Sequence, residues 1–448
     1  MLIDGYDFVI DLDRSSGNRF HDSRSGRDIL DFFSCFSSLA LGWNHPEVKA
    51  VEAELGRVAV NNIANSDLYT KEMAESVDTI CRVALPDDMP NFFMVAGGAL
   101  AVENSFKVAM DWKMHDRQAK GLVDSVSCVN SADAGFCWTE ERKESEKVTV
   151  GHFREAFHGR SGYTMSVTNT DPAKTNNYPK FDWPRFHNPK IRFPLDAAEN
   201  ARLDEAENIC IESICAHAAE NPDTMSAVII EPMQGEGGDN HFRDSFMRRL
   251  CDVTHEVDAM FIVDEVQTGL GSTGKMWMYE HSGIKPDILA FGKKMQVCGI
   301  MASDTVKEFD DNPFDTSSRI NSTWGGNLID MVRSAKQLEV IERDRLVENA
   351  ALRGEELLSG LNELGDSFEM ISNVRGRGLM AAFSLPDMET RDRIRNLILE
   401  GGAHVLNSGL DSIRLRPSLI LSSEEIDEAL NIFQTAAKRL EAEAKISA

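Results

Sequence analysis

Two short, largely apolar segments of this sequence each end at a charged residue, and these two residues are the strongest candidates for chemistry. Segment 259–263 runs directly into Asp264, and segment 287–292 runs directly into Lys293. Short apolar runs of this kind are typical of buried parallel strands. Ligands bind at the carboxyl ends of the strands in open α/β sheets. We therefore expect a carboxylate and an amine at one such sheet edge.

An acid and an amine in this position suit one cofactor. Pyridoxal phosphate (PLP) requires a Lys for its Schiff base and an Asp or Arg beside its pyridine nitrogen. A buried carboxylate needs a cationic partner, and the protonated ring nitrogen would be one. Taken separately, Asp264 could be a structural ion pair or a helix cap, Lys293 could be a solvated surface residue, and Lys294 is an alternative to it. Considered together, Asp264 and Lys293 favour PLP chemistry.

Two glycine-containing turns could hold a phosphate. A strand-like segment at 91–95 is followed by Gly97-Gly98-Ala99 and by a helical pattern from Leu100 to about His115. Small residues at a strand-to-helix turn let backbone N–H groups approach an anion, and the helix dipole favours negative charge there. A simple packing turn would have the same local sequence. The polar turn 321–327, which precedes another helical pattern, offers further hydroxyl and N–H donors.

Other charged and aromatic residues could bind a flat cofactor or a carboxylate. An aromatic ring and an Arg in one loop can stack on a ring and hold a carboxylate bidentately. Each of these residues could equally belong to a solvated loop or to the core. The candidates are Phe157 and Arg160 in loop 156–162, Glu231 after strand-like segment 228–230, Glu236 in loop 233–238, and Arg414 and Arg416 on one face of a strand.

Composition narrows the class of protein. The 448 residues carry a formal net charge of −26, which repels nucleic acid and acidic membranes. No apolar run approaches the roughly 20 residues of a membrane span, and residues 1–5 do not resemble a signal peptide. The 8 cysteines form no CxxC pairs, so we predict neither a disulfide framework nor a metal site. We expect a cytoplasmic protein.

Alternating strand and helix patterns from about 66 to about 310 predict an α/β fold with a mostly parallel sheet. We predict an N-terminal arm at 1–60 that forms part of a small domain. A large cofactor-binding domain follows at 61–327, and an α+β small domain at 328–448. Residues 121–147 are polar, contain Cys128 and Cys137, and are expected to form a surface insertion.

Together these motifs resemble the class III, or ω-, aminotransferases of PLP fold type I. The resemblance runs from segment 41–46 to segment 414–417, and its most specific part is segment 264–269 followed by Gly292-Lys293. The family's spacing selects Lys293 over Lys294. Within the family, the sequence is most similar to members that transfer the ε-amino group of L-lysine. The segments that carry this likeness are 97–104, 157–163, 179–184, 291–299 and 321–324. Most of the family has a Ser-Gly-Thr-type phosphate turn, whereas this chain has Gly97-Gly98-Ala99, a departure that the lysine enzymes share.

The resemblance implies a large domain with a mostly parallel seven-stranded sheet, a smaller α+β domain and a homodimer with shared active sites. In it, Lys293 carries the Schiff base and moves the proton, Asp264 pairs with the pyridine nitrogen, and Thr323 reaches the phosphate of the neighbouring subunit. The implied cofactor-binding residues are Gly98, Ala99, Phe157, Glu231, Asp264, Gln267, Lys293 and Thr323. The implied substrate-binding residues are Arg160, Glu236, Asn321, Arg414 and Arg416.

The implied reaction passes the ε-amino group of L-lysine to 2-oxoglutarate. One site must then accept lysine, which has an amine at the reacting end, and 2-oxoglutarate, which has a carboxylate there. The family solves this with an acidic side chain that can pair with an arginine or move away from it. Glu236 matches that acid and would mask Arg414 while lysine reacts, although Arg416 could be the arginine used instead. The alternatives are another amino donor, such as ornithine or 4-aminobutyrate, and a non-catalytic PLP-fold binding protein. The presence of both Lys293 and Asp264 argues against the latter.

Overall fold

The computed structural model describes residues 6–61, 63–123 and 147–447, with side chains described up to residue 443. Most of the predicted surface insertion at 121–147, including Cys128 and Cys137, lies outside these residues. No helix in the described ranges is both long enough and apolar enough to cross a membrane.

A seven-stranded sheet forms the centre of the fold. Its strands lie in the order β4-β10-β9-β8-β7-β5-β6, and every strand except β10 runs in the same direction. β7, β8 and β9 are buried at every residue, which explains their continuous apolar sequences. The strands are β4 (Asn91–Val95), β5 (Thr149–Phe153), β6 (Arg185–Phe186), β7 (Met225–Ile230), β8 (Met260–Asp264), β9 (Ile288–Phe291) and β10 (Cys298–Ala302).

Two four-stranded sheets lie outside the central one. The first has the order β1-β2-β3-β13, in which β13 from the C-terminal part pairs in parallel with β3 from the N-terminal part. The second has the order β11-β12-β15-β14 and is antiparallel throughout. Their strands are β1 (Ile10–Ser16), β2 (Arg19–Asp22), β3 (Arg27–Asp31), β11 (Ser372–Arg377), β12 (Met380–Ser384), β13 (Ala403–His404), β14 (Leu406–Ser408) and β15 (Ser412–Leu415).

Helices connect and cover these sheets. One side of the long helix α4 is buried, and the buried side chains include Val102, Phe106 and Ala109. Residues 34–37 form a left-handed turn, with φ between 39° and 70°. The helices are α1 (Pro46–Lys49), α2 (Glu52–Ala59), α3 (Lys71–Val83), α4 (Gly98–Ala119), α5 (Gly162–Val167), α6 (Ala197–Glu220), α7 (Asp244–Glu256), α8 (Leu328–Arg343), α9 (Leu346–Ser367), α10 (Met388–Gly401) and α11 (Ser423–Ser447).

The predicted class, a mostly parallel seven-stranded sheet with a smaller α+β part, is confirmed. The domain boundaries at 60 and 327 remain predictions. One element bound differs from expectation. Helix α4 extends four residues beyond His115, since no glycine interrupts it before Gly121.

Candidate active site

Asp264 and Lys293 lie at the same edge of the central sheet. Asp264 is the last residue of β8, and Lys293 comes two residues after the end of β9. β8 and β9 are adjacent parallel strands in which Asp264 stands opposite Ala290. Both residues therefore lie at carboxyl ends of neighbouring strands, which is where open α/β sheets bind ligands.

The Asp264 carboxylate is buried, with 5% exposure, and has a partner that the sequence did not indicate. Its Oδ2 lies 2.8 Å from His158 Nδ1, and its Oδ1 accepts a hydrogen bond of 3.1 Å from the Val266 backbone. His158 is itself held by its own backbone N–H, which donates to Thr168 Oγ1 at 2.9 Å. Because both oxygens have donors, the carboxylate has one fixed orientation.

Lys293 lies in a 3-10 turn, Lys293–Met295, and has a left-handed φ of 47°. Burial lowers the pKa of its ammonium from 10.5 to about 8. The nearby Asp264 carboxylate acts in the opposite direction and stabilises the charged form, whereas Arg414 adds to the lowering. An amine with a pKa near 8 is partly neutral at physiological pH, and the neutral form is the nucleophile.

Lys294 has different surroundings. Its ammonium is buried, donates to Ser37 Oγ in the left-handed turn, and lies 3.4 Å from the Gln267 carbonyl oxygen. Burial lowers its pKa well below the ordinary range, and Arg416 and Lys293 add to the effect. These contacts tie Lys294 to the packing between two segments of the chain.

The pKa of Lys293 predicts how cofactor attachment depends on pH. The rate at which PLP attaches to the cofactor-free enzyme should fall about tenfold per pH unit below pH 8, because the amine becomes protonated there. Above pH 8 the rate should level off. Stopped-flow absorbance over a pH series measures this rate. A midpoint near 10.5, the ordinary value for lysine, would contradict the assignment.

The start of helix α4 lies close to the segment that follows Asp264. Gly97 has a φ of 113°, and the first turn of the helix has neither a side-chain cap nor an acidic residue. A Cβ on Gly98 would lie 2.9 Å from Val266 Cγ1, so a larger residue here would displace the side chain that follows Asp264. The Ala96 N–H donates to Ser322 Oγ at 3.2 Å, which brings turn 321–327 to the same place. Uncapped N–H groups at a helix N-terminus suit a phosphate.

Glu231 joins two of the predicted loops. Its Oε1 accepts from the Phe157 N–H at 2.9 Å, and its Oε2 accepts from the Gly235 N–H at 3.0 Å. Burial raises its pKa to about 7, and the nearby Asp264 carboxylate adds to the rise. Through these two hydrogen bonds, Glu231 links the loop that contains Phe157 to the loop that contains Glu236.

Arg414 and Glu236 form an ion pair between β15 and the loop after β7. Arg414 Nη2 lies 2.7 Å from Glu236 Oε2, while the buried Nε and Nη1 of Arg414 have no partner among the described residues. Burial opposes ionisation of Glu236, but Arg414 and Lys174 outweigh it and lower the pKa of this carboxyl. A guanidinium with spare buried donors is suited to a second carboxylate.

Arg416 has no such spare capacity. It is fully buried and pairs bidentately with Asp239, with 2.9 Å between Nη1 and Oδ2. Its Nε donates to Gln267 Oε1 at 3.1 Å, which fixes that amide. Of the two arginines that the sequence left open, Arg414 is the one with donors available.

The remaining predicted residues lie at the surface of the single chain. Arg160, Asn321 and Thr323 are exposed. Gly159, which precedes Arg160, has a φ of 123°, and a Cβ there would lie 2.6 Å from Ala99 Cβ. This close packing holds the Phe157 loop against the phosphate turn.

The fold and this arrangement define a PLP-dependent enzyme. The family model of aminotransferase class III matches residues 4–437, and the chain belongs to this family. Its residues fit the cofactor, because they offer an uncapped helix N-terminus for the phosphate, a fixed carboxylate at Asp264 and an amine of low pKa at Lys293.

Individual relatives are similar over almost their whole length. The chain is 45% identical to the L-lysine-epsilon aminotransferase of Mycobacterium tuberculosis, over 97% of this chain and 93% of that protein. It is 42% identical to the L-lysine-epsilon aminotransferase of Streptomyces clavuligerus, over 96% and 90%. A solved structure of lysine aminotransferase from M. tuberculosis in the internal aldimine form superposes with a TM-score of 0.90 at 43% identity, covering 98% of this chain and 97% of that one.

Proposed function

We propose that this aminotransferase transfers the ε-amino group of L-lysine to 2-oxoglutarate. The products would be 2-aminoadipate 6-semialdehyde, which cyclises to piperideine-6-carboxylate, and L-glutamate. The observation that carries the proposal is the Glu236–Arg414 ion pair with its spare guanidinium donors. The names and the high identity of the lysine-epsilon aminotransferases support the choice of donor.

The Glu236–Arg414 ion pair would allow one site to bind both lysine and 2-oxoglutarate. When lysine binds, Glu236 neutralises Arg414, so that the reacting amine does not meet an unpaired cation. Arg160 would hold the α-carboxylate of lysine at the other end. When 2-oxoglutarate binds, Glu236 must leave, and the edge of the Arg414 guanidinium then holds the incoming carboxylate bidentately. Asn321 would add a polar contact to the bound substrate.

The catalytic residues have distinct tasks. When bound, PLP supplies an electrophilic carbonyl and a ring that withdraws electrons from the substrate. Asp264, which His158 holds in place, would stabilise a positive charge at the ring nitrogen. The Lys293 amine would take a proton from the substrate carbon and would hold it for the later return step. Phe157 would stack on the ring and Gln267 would approach its phenolic oxygen. Gly98 and Ala99 would bind the phosphate through their backbone N–H groups.

A homodimer would complete the site. Thr323 is exposed, and its neighbour Trp324 has 49% exposure. Leu68 and Tyr69 are also exposed, at 62% and 94%. Such apolar surface is typical of an interface with another chain. Thr323 would then reach the phosphate bound by the neighbouring subunit. A cytoplasmic location remains a prediction from the sequence.

Spectroscopic titration tests the two half-reactions separately. The absorbance band of the bound cofactor should disappear when L-lysine is added and return when 2-oxoglutarate follows. L-Ornithine and 4-aminobutyrate serve as comparison donors at equal concentration. A band that ignores lysine but responds to one of these donors would leave the enzyme class in place and overturn the proposed substrate.

A further inference from the structure

Lys174, a basic residue outside the motifs described above, lies beside the Glu236–Arg414 pair. It ends the 3-10 turn Pro172–Lys174, in which the Ala173 N–H donates to the side chain of Asp171. The Lys174 ammonium lies 2.6 Å from Glu236 Oε1, and it is also 5.3 Å from the centre of the Phe157 ring. Its side chain is only 19% exposed.

Glu236 therefore lies between two cations, each of which uses a different oxygen. Oε1 faces Lys174 on the loop after α5, and Oε2 faces Arg414 on β15. The side chain of Glu236 is 30% exposed, so solvent screens it only in part. If Glu236 swings away from Arg414, a partner at Oε1 allows it to remain ionised.

We propose that Lys174 is a positioning residue for the exchange of substrates. It holds Glu236 when that carboxylate leaves Arg414, and it thereby strengthens binding of the dicarboxylate 2-oxo acid. This inference rests on the proposed function, because it requires a substrate that displaces Glu236.

The two positions of Glu236 depend on Lys174 to different degrees. With Arg414 masked, Glu236 has two cationic partners and can lose one of them. With Arg414 released, Glu236 would still have Lys174 as a cationic partner at Oε1. Removing Lys174 should therefore favour the masked position. The affinity for 2-oxoglutarate should therefore fall. The affinity for lysine should not change, because lysine reacts while Arg414 is masked.

The variants Lys174→Met and Lys174→Arg test this inference. In Lys174→Met, the KM for 2-oxoglutarate should rise about tenfold, as expected for loss of one charged hydrogen bond. The KM for the amino donor and kcat should change less than about twofold. Lys174→Arg should restore the KM, because it keeps the charge. Calorimetry with glutarate, a dicarboxylate that cannot react, should show the same loss of affinity.

Two controls separate this role from general damage to the loop. Lys180→Met removes another ammonium of the same segment, one that donates to the Thr175 carbonyl at 3.1 Å, and should leave both KM values unchanged. In a Glu236→Ala background, Lys174→Met should add less than about twofold, because Lys174 acts through Glu236.

Three results would overturn the inference. The first is an equal rise in both KM values, the second is no rise for 2-oxoglutarate, and the third is the same effect in the Glu236→Ala background. The third would mean that Lys174 contacts the 2-oxo acid directly. If L-lysine is not the amino donor, the spectroscopic titration of the wild-type enzyme will show it. The measurement with glutarate tests Lys174 without any amino donor.

Discussion

Replacing Lys293 with Ala is expected to reduce turnover by at least about 10⁴-fold. The amine has two tasks that no neighbouring group can take over. In the proposed mechanism it would bond covalently to the cofactor, and it would move the proton that leaves the substrate. The neighbouring amine, that of Lys294, is buried and donates a hydrogen bond to Ser37, so it is not available for these tasks. Turnover with L-lysine and 2-oxoglutarate measures the loss.

Reductive trapping gives the same prediction a readout that does not depend on turnover. Borohydride should fix PLP covalently to the wild-type chain, and mass spectrometry should place the label on Lys293. The Lys293→Ala variant should retain no label. Lys294→Met serves as the matched control, since it removes the adjacent amine and should keep the label on Lys293. A label on Lys294 in either protein would refute the assignment.

Replacing Asp264 with Asn is expected to reduce kcat about 10³-fold, the usual scale for losing a preorganised electrostatic group. The amide has nearly the same shape, but it cannot stabilise a positive charge at the cofactor ring nitrogen. His158 would also lose its carboxyl partner at 2.8 Å. Affinity for PLP should fall as well, which equilibrium dialysis measures independently of activity.

Asp287 provides a matched control for Asp264. It is a buried carboxylate that also pairs with a histidine, since His255 Nε2 lies 2.9 Å from its Oδ2. However, it precedes β9 and so lies at the opposite edge of the sheet. Asp287→Asn should lower stability, but the folded fraction should keep its PLP affinity. If both variants lost PLP equally, the effect of Asp264→Asn would come from folding and not from the cofactor.

Much of the fold and part of the candidate site could be predicted from local patterns. Wholly apolar strands such as β8 and β9 require burial on both faces, and burial on both faces requires a mostly parallel sheet with covering helices. A charged residue directly after such a strand must lie at its carboxyl end. The small residues at 97–99 likewise indicate a tight strand-to-helix turn. These features depend only on residues that are neighbours along the chain, so local sequence is enough to predict them.

The tertiary structure alone decided which side chains meet. Asp264 pairs with His158, Glu236 lies between Lys174 and Arg414, and Arg416 is occupied by Asp239. The partners in each of these pairs are separated by 62 to 178 positions along the chain. No periodicity or spacing records such contacts, because they arise from the packing of loops that different strands deliver to one edge. The sequence therefore determined which groups the site can use, whereas the packing determined which of them are free to bind a substrate.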